Sequence, residues 1–140
     1  MVFINDIGII KNITTKEYPG FPTDLAPQFM VLLCKASGTS SITENIFQGR
    51  FLHAMELQRL GAKITIKNRT AKIEGNTNFI AAEVMSSDLR ASAALVLAGI
   101  VSKGNTIVTR VYHCDRGYEN FENKLKKIGV KIKRLKKWNI

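Results

Sequence analysis

Apolar positions along the 140-residue chain recur with two periods, and the changes of period mark its elements. Asn12 to Tyr18 alternates, with Ile13, Thr15 and Glu17 on one side, which predicts a strand. From Asp24 the period lengthens: Leu25, Phe29, Leu32, Leu33 and Ala36 fall at helical spacing up to Ser37, and Gly38 supplies a stop. Ser40 to Ile46 predicts a strand, Gln48-Gly49 a turn, and Arg50 to Leu60 a second helix that stops at Gly61. Two short strands follow, Ala62 to Lys67 and Thr70 to Glu74, joined by a turn at Asn68-Arg69. Ser86-Ser87-Asp88 then caps a long helix whose stripe is Leu89, Ala93, Val96, Leu97 and Ile100. Asn105 to Tyr112 reads as a strand, Tyr118 to Ile128 as a helix, and Val130 to Leu135 as a last strand. Met1 to Ile10 is apolar, with a turn near Asn5-Asp6.

The order of these elements repeats. Asp24 corresponds to Asp88, Gly38 to Gly104, Arg50 to Arg116 and Gly61 to Gly129, at nearly constant separation. Each unit runs Asp, helix, Gly, strand, Arg, helix, Gly, strand, which predicts an α/β domain made from a βαβ-type unit used twice. Ahead of the first unit, Tyr18-Pro19-Gly20-Phe21-Pro22-Thr23-Asp24 is a stiff turn. Its prolines fix φ and keep the residues before them extended. Pro27 suits a first helical turn, so Asp24 is expected at or beside an N-cap, where backbone N–H groups favour a carboxylate. The repeat places Asp24, Arg50, Asp88 and Arg116 at element ends, with Arg90 close to Asp88. Such a set can build a cleft for phosphate and carboxylate groups, because guanidinium forks match both anions. Equally, it can be a set of structural Asp–Arg pairs bracing the repeats.

Composition narrows the classes. Hydrophobic residues make up 45% and mean hydropathy is −0.02, as in a globular protein with a sizeable core. The longest apolar runs, such as Ala91 to Val101, are too short to span a bilayer, so no membrane association is expected. The first residues carry no basic run and no small-residue cleavage site, so the cytoplasm is the expected compartment. Cys34 and Cys114 form no C-x-x-C pair and no cluster with histidine, so buried thiols are expected rather than a metal centre. The net charge of +10 is concentrated in a tail from Lys124 to Lys137. A basic tail can bind nucleic acid, yet Val130-Lys131-Ile132-Lys133 alternates as a half-buried strand does, and nucleic acid is not the expected partner.

Four stretches carry a more specific signal. They are Tyr18-Pro-Gly-Phe-Pro-Thr-Asp24, Ile42-Thr-Glu-Asn-Ile-Phe47 with Arg50-Phe-Leu-His53, Ser87-Asp-Leu-Arg-Ala-Ser-Ala-Ala-Leu-Val-Leu-Ala-Gly99, and Tyr112-His-Cys-Asp-Arg-Gly-Tyr-Glu119. Together they resemble the enolpyruvyl transferase family, in its aminosugar rather than its shikimate branch, and they follow the family's order over nearly the whole chain. The resemblance implies repeated βαβαββ units of the inside-out α/β barrel fold, about two of the three units of one domain, near 13–75 and 76–136. It implies transfer of the enolpyruvyl group of phosphoenolpyruvate to the 3-hydroxyl of UDP-N-acetylglucosamine, with release of phosphate, at the entry to peptidoglycan synthesis. By the same resemblance, Asp24 matches the carboxylate that contacts the 3-hydroxyl and acts as its base. Ile46 matches a backbone contact to the UDP-sugar. Arg50, Arg90 and Arg116 match arginines around phosphoenolpyruvate, and Asp88 a second carboxylate at the reacting centre; Asp24, Asp88 and Arg116 are the catalytic candidates. Neither a metal nor another cofactor is implied.

The resemblance reaches only the C-terminal part of the family's proteins. The Lys-Asn pair that grips phosphoenolpyruvate, the loop with the Cys or Asp proton donor and the uridine contacts match nothing in this sequence. Cys34 and Cys114 lie in other motifs. Two readings follow: a half-enzyme that acts with an N-terminal partner and is inactive by itself, or a catalytically inactive truncation remnant or basic domain that binds RNA or protein.

Overall fold

The computed structural model describes residues 12–136, so the reading of Met1 to Ile10 and the end of the basic tail lie outside the described residues. Its first half is a four-stranded sheet with two helices. Strand β1 (Asn12–Thr14) pairs in parallel with β2 (Thr39–Thr43), and helix α1 (Ala26–Lys35) forms the crossover between them. After α2 (Leu52–Arg59), the hairpin β3 (Lys63–Lys67) and β4 (Thr70–Glu74) adds antiparallel to β2, in the order β1-β2-β4-β3. Asn68 takes the left-handed conformation that the two-residue turn requires. In the second half, β5 (Glu83–Met85) and β6 (Ile107–Thr109) are again parallel, joined through α3 (Leu89–Val101). Two short helices, α4 (Tyr112–Asp115) and α5 (Phe121–Lys127), complete it. The chain is mixed α/β, as read from the sequence.

One buried core serves both halves. It joins Met30, Leu33 and Cys34 of α1, Ile42 of β2, Leu57 of α2, Ile64 of β3 and Ile73 of β4 to Phe79, Val84 of β5 and Ala94, Leu95 and Ala98 of α3. Strand β4 alternates cleanly, with Ala71 and Ile73 inward and their neighbours outward. Helix α3 is buried almost all round, against α1, α2, α4 and β6. Its alanines let those neighbours approach closely. The inward face therefore runs through Ala91, Ala94, Leu95 and Ala98, while Leu97, expected inside, is exposed. Both cysteines are buried and free, and burial pushes the Cys34 thiol up to about 12. Among the described residues no helix is long and apolar enough to cross a membrane.

Several elements differ from the reading of the sequence. The first strand stops at Thr14, because Thr15 bridges to Phe21 and the proline turn closes immediately after it. Thr23–Leu25 is a 3-10 turn; α1 starts only at Ala26, with Leu25 at the cap position and no side-chain cap. Asp24 therefore sits beside the N-cap position, as expected, but its side chain caps nothing. Asp88 is an N-cap: its carboxylate accepts from the amides of Arg90 and Ala91, both at 2.9 Å. The strand expected over Asn105 to Tyr112 shrinks to Ile107–Thr109, and the unforeseen helix α4 occupies the chain after it. Val130 to Leu135 pairs with no strand among the described residues. Arg134 instead turns back to clasp Asp115 at 2.7 Å and Glu122 at 2.7 Å.

Candidate functional site

Four of the six residues singled out in the sequence meet at one end of the molecule. The 3-10 turn before α1 holds Asp24 in the open, its side chain 71% exposed. Arg90, in the first turn of α3, donates to the Asp24 carboxylate at 2.9 Å, and its Nε lies 3.7 Å from the Asp88 carboxylate. Arg90 thus spans the two carboxylates that the repeat pairs. Arg50 reaches the cluster from the turn ahead of α2, with Nη1 4.0 Å from Asp24 and its guanidinium stacked 4.1 Å over the Phe47 ring. That Nη1 is buried and has no hydrogen-bond partner, so an acceptor is wanting where Arg50 faces Asp24.

Electrostatics keep Asp88 ionised. Partial burial opposes the charge of Asp88, but the Ala91 amide and the Arg90 guanidinium and amide outweigh it and hold the carboxyl below the ordinary aspartate range. His53, in the first turn of α2, is buried beside this group and its Nε2 lacks a partner. Burial pushes its imidazole down to about 4, opposed by Asp88 and assisted by Arg90, so His53 is neutral near neutral pH. Among the described residues no three His, Cys, Asp or Glu side chains gather as a metal-ligand set.

Ile46 and Arg116 stand apart from the ion cluster. Ile46 precedes the Arg50 turn, and its N–H is taken by Glu44 at 3.0 Å, which leaves the carbonyl as its backbone group without a partner among the described residues. Arg116 follows α4, is exposed and pairs with no carboxylate among the described residues. Its neighbours nevertheless lie at the same end. A Cβ at Gly117 would fall 2.7 Å from the Leu89 side chain, next to Asp88 and Arg90. The Tyr118 hydroxyl donates to the Gln28 amide oxygen at 3.3 Å when the Gln28 nitrogen faces the carbonyls of Asp24 (3.1 Å) and Leu25 (3.3 Å).

Glu44, overlooked in the sequence, is the most heavily bonded acid of this region. It is 2% exposed and accepts from the Thr15 hydroxyl (2.7 Å), the Thr23 hydroxyl (2.7 Å) and the amides of Ile46 (3.0 Å) and Phe47 (3.2 Å). Burial works against its charge, but these four hydrogen bonds prevail and lower its pKa. In the sequence Glu44 stood inside the family-like stretch Ile42 to Phe47, on the strand expected over Ser40 to Ile46, with nothing local to mark it as a bonding centre.

Residues 5–125 match the family described as EPSP synthase (3-phosphoshikimate 1-carboxyvinyltransferase). A Pelagibacter ubique protein named UDP-N-acetylglucosamine 1-carboxyvinyltransferase is 59% identical over 124 residues, covering 89% of this chain and 30% of the relative. A Helicobacter pylori protein of the same name is 56% identical, with 89% and 29% covered. The chain therefore spans about 30% of the length of the curated relatives it matches. Among solved structures, the enolpyruvyl transferase NikO from Streptomyces tendae superposes with a TM-score of 0.82 at 28% identity, over 87% of this chain and 28% of that one. EPSP synthase from Acinetobacter baumannii, at TM-score 0.63 and 19% identity over 81% and 27%, shares the fold. With a family match over most of its length and the same fold, the chain belongs to the EPSP synthase family of enolpyruvyl transferases.

Proposed function

We propose that this chain forms one wall of an active site that moves the enolpyruvyl group of phosphoenolpyruvate to the 3-hydroxyl of UDP-N-acetylglucosamine and releases phosphate. The observation that carries the reading is Asp24, exposed between the paired guanidinium of Arg90 and the unsatisfied Nη1 of Arg50. A sugar hydroxyl is too weak an acid to ionise beforehand, so a positioned carboxylate takes its proton as the new C–O bond forms. Asp24, open to solvent on one side and flanked by two guanidinium groups, suits that role. Phosphoenolpyruvate carries a carboxylate and a phosphate; Arg50, Arg90 and the unpaired Arg116 are suited to orient it and to neutralise charge on the departing phosphate. Asp88, held ionised beside Arg90, serves as the second carboxylate, and the Ile46 carbonyl is available to the UDP-sugar. Addition across the enol double bond also needs a proton on the methylene carbon and its removal with phosphate. Both walls of the cleft must act in that step, so the chain is proposed to be inactive by itself and to need an N-terminal portion.

Binding tests this reading without requiring turnover. Titrated with phosphoenolpyruvate and with UDP-N-acetylglucosamine, the chain should show amide NMR shift changes at Asp24, Ile46, Arg50 and Arg90. Arg90→Gln should weaken the phosphoenolpyruvate response about tenfold, as expected for the loss of a charge-assisted bond. Saturating responses confined to the opposite end of the molecule would contradict the assignment.

A further inference from the structure

We propose that Glu44 is a positioning residue that sets Asp24 and the Ile46–Arg50 loop relative to each other, and so governs the sugar-nucleotide side of the site. The inference rests on the functional reading above. The two oxygens of Glu44 divide the work. Oε2 accepts from the hydroxyl of Thr23, the residue before Asp24. Oε1 accepts from the Thr15 hydroxyl and from the amides of Ile46 and Phe47, which open the loop that carries Arg50. Thr15, fully buried, closes the ring by accepting from the Asn45 amide at 2.9 Å. Asp24 and Ile46 therefore share a hydrogen-bonded link through Glu44, beside the 4.0 Å approach of Arg50 to Asp24, although 21 residues separate Thr23 from Glu44. No other side chain among the described residues bonds to both segments. With three donors on Oε1 and one on Oε2, the carboxylate is held in rotation as well as in place. The Ile46 N–H is drawn onto Glu44, and the Ile46 carbonyl has no partner among the described residues. Phosphoenolpyruvate contacts fall on Arg90 and Arg116 as well, which Glu44 does not touch.

Hydrogen exchange and ligand binding test this in the intact chain. Thr23→Val removes one hydroxyl donor at a partly buried position. It should speed exchange of the Ile46 and Phe47 amides about tenfold, although neither residue touches Thr23, and Thr23→Ser should restore the slow rates. Thr23→Val and Glu44→Gln should each weaken UDP-N-acetylglucosamine binding about tenfold and the phosphoenolpyruvate response by clearly less, because Arg90 and Arg116 lie outside the ring that Glu44 holds. If Glu44→Gln does not fold, the Thr23 pair decides. Unchanged Ile46 and Phe47 exchange in Thr23→Val would overturn the coupling, and equal weakening of both ligands would overturn the sugar-side role. A wild-type chain that ignores UDP-N-acetylglucosamine would overturn the functional reading instead, and the exchange rates would still judge the coupling.

Discussion

His53 shows how burial, outweighing the pull of nearby Asp88, sets the behaviour of a residue. Nothing around it offers Nε2 a partner, and its proton affinity falls until the imidazole titrates near pH 4. In the unfolded chain the same group titrates near 6.5. Between these values the unfolded state binds the extra proton, so this contribution to stability is complete above pH 6.5 and is lost as pH falls toward 4. The loss should be on the order of 3 kcal/mol, measured by urea unfolding across that window. His53→Leu should flatten the window, leaving the loss at lower pH that Glu44 and Asp88 cause as their depressed carboxyls protonate. An unchanged slope in His53→Leu would refute the assignment. At this scale the sequence was informative only where the chemistry is local. Asp88 was legible as a cap because its acceptors are the next few amides. Asp24 looked the same but gives its carboxylate to Arg90, 66 residues away, and no local pattern encodes that pair. The role of Glu44 was illegible for the same reason: its hydroxyl donors are Thr15, just after the first strand, and Thr23 of the 3-10 turn.

Elements were legible where their own period and turn residues suffice. The β3–β4 hairpin lies where its alternation and Asn68-Arg69 turn placed it, and α2 and α3 are within two residues of expectation at most ends. Misreadings arose where contacts decide. The turn after Pro22 tightened into 3-10 geometry and delayed α1, and the alternation after Gly129 found no partner strand. Gly75 marks a junction that sequence could only hint at. Its amide donates to the Gly38 carbonyl at 2.8 Å, and a Cβ there would sit 1.9 Å from the Ala36 oxygen and 2.5 Å from the Gly38 oxygen. These are backbone atoms, fixed by α1 and β2, and they cannot swing aside. Gly75→Ala should therefore cost about 3 kcal/mol, read as a lowered denaturant midpoint, even though the position lies outside any strand. A midpoint equal to wild type would mean that the end of β4 is looser than this packing requires.

Over the whole molecule, the paired parallel units β1–α1–β2 and β5–α3–β6 bring the first turns of α1 and α3 side by side, and that is why residues so far apart in sequence form one ionic cluster. Beside it lies an open cleft of about 590 Å³ that includes Phe47, Arg50, Leu52, Met55 and Ile66. Leu52 and Met55 are 63% and 61% exposed, a large apolar surface for an isolated chain and one that suits contact with further protein. In the function proposed above, Asp24 and its arginines are half of a catalytic centre. Phosphate release from phosphoenolpyruvate plus UDP-N-acetylglucosamine tests it most directly, run with the chain alone and with a separately made N-terminal portion of a full-length relative. The account predicts release only from the mixture, and its loss when this chain carries Asp24→Asn. Release that survives Asp24→Asn, or a mixture of folded proteins that stays silent, would contradict it.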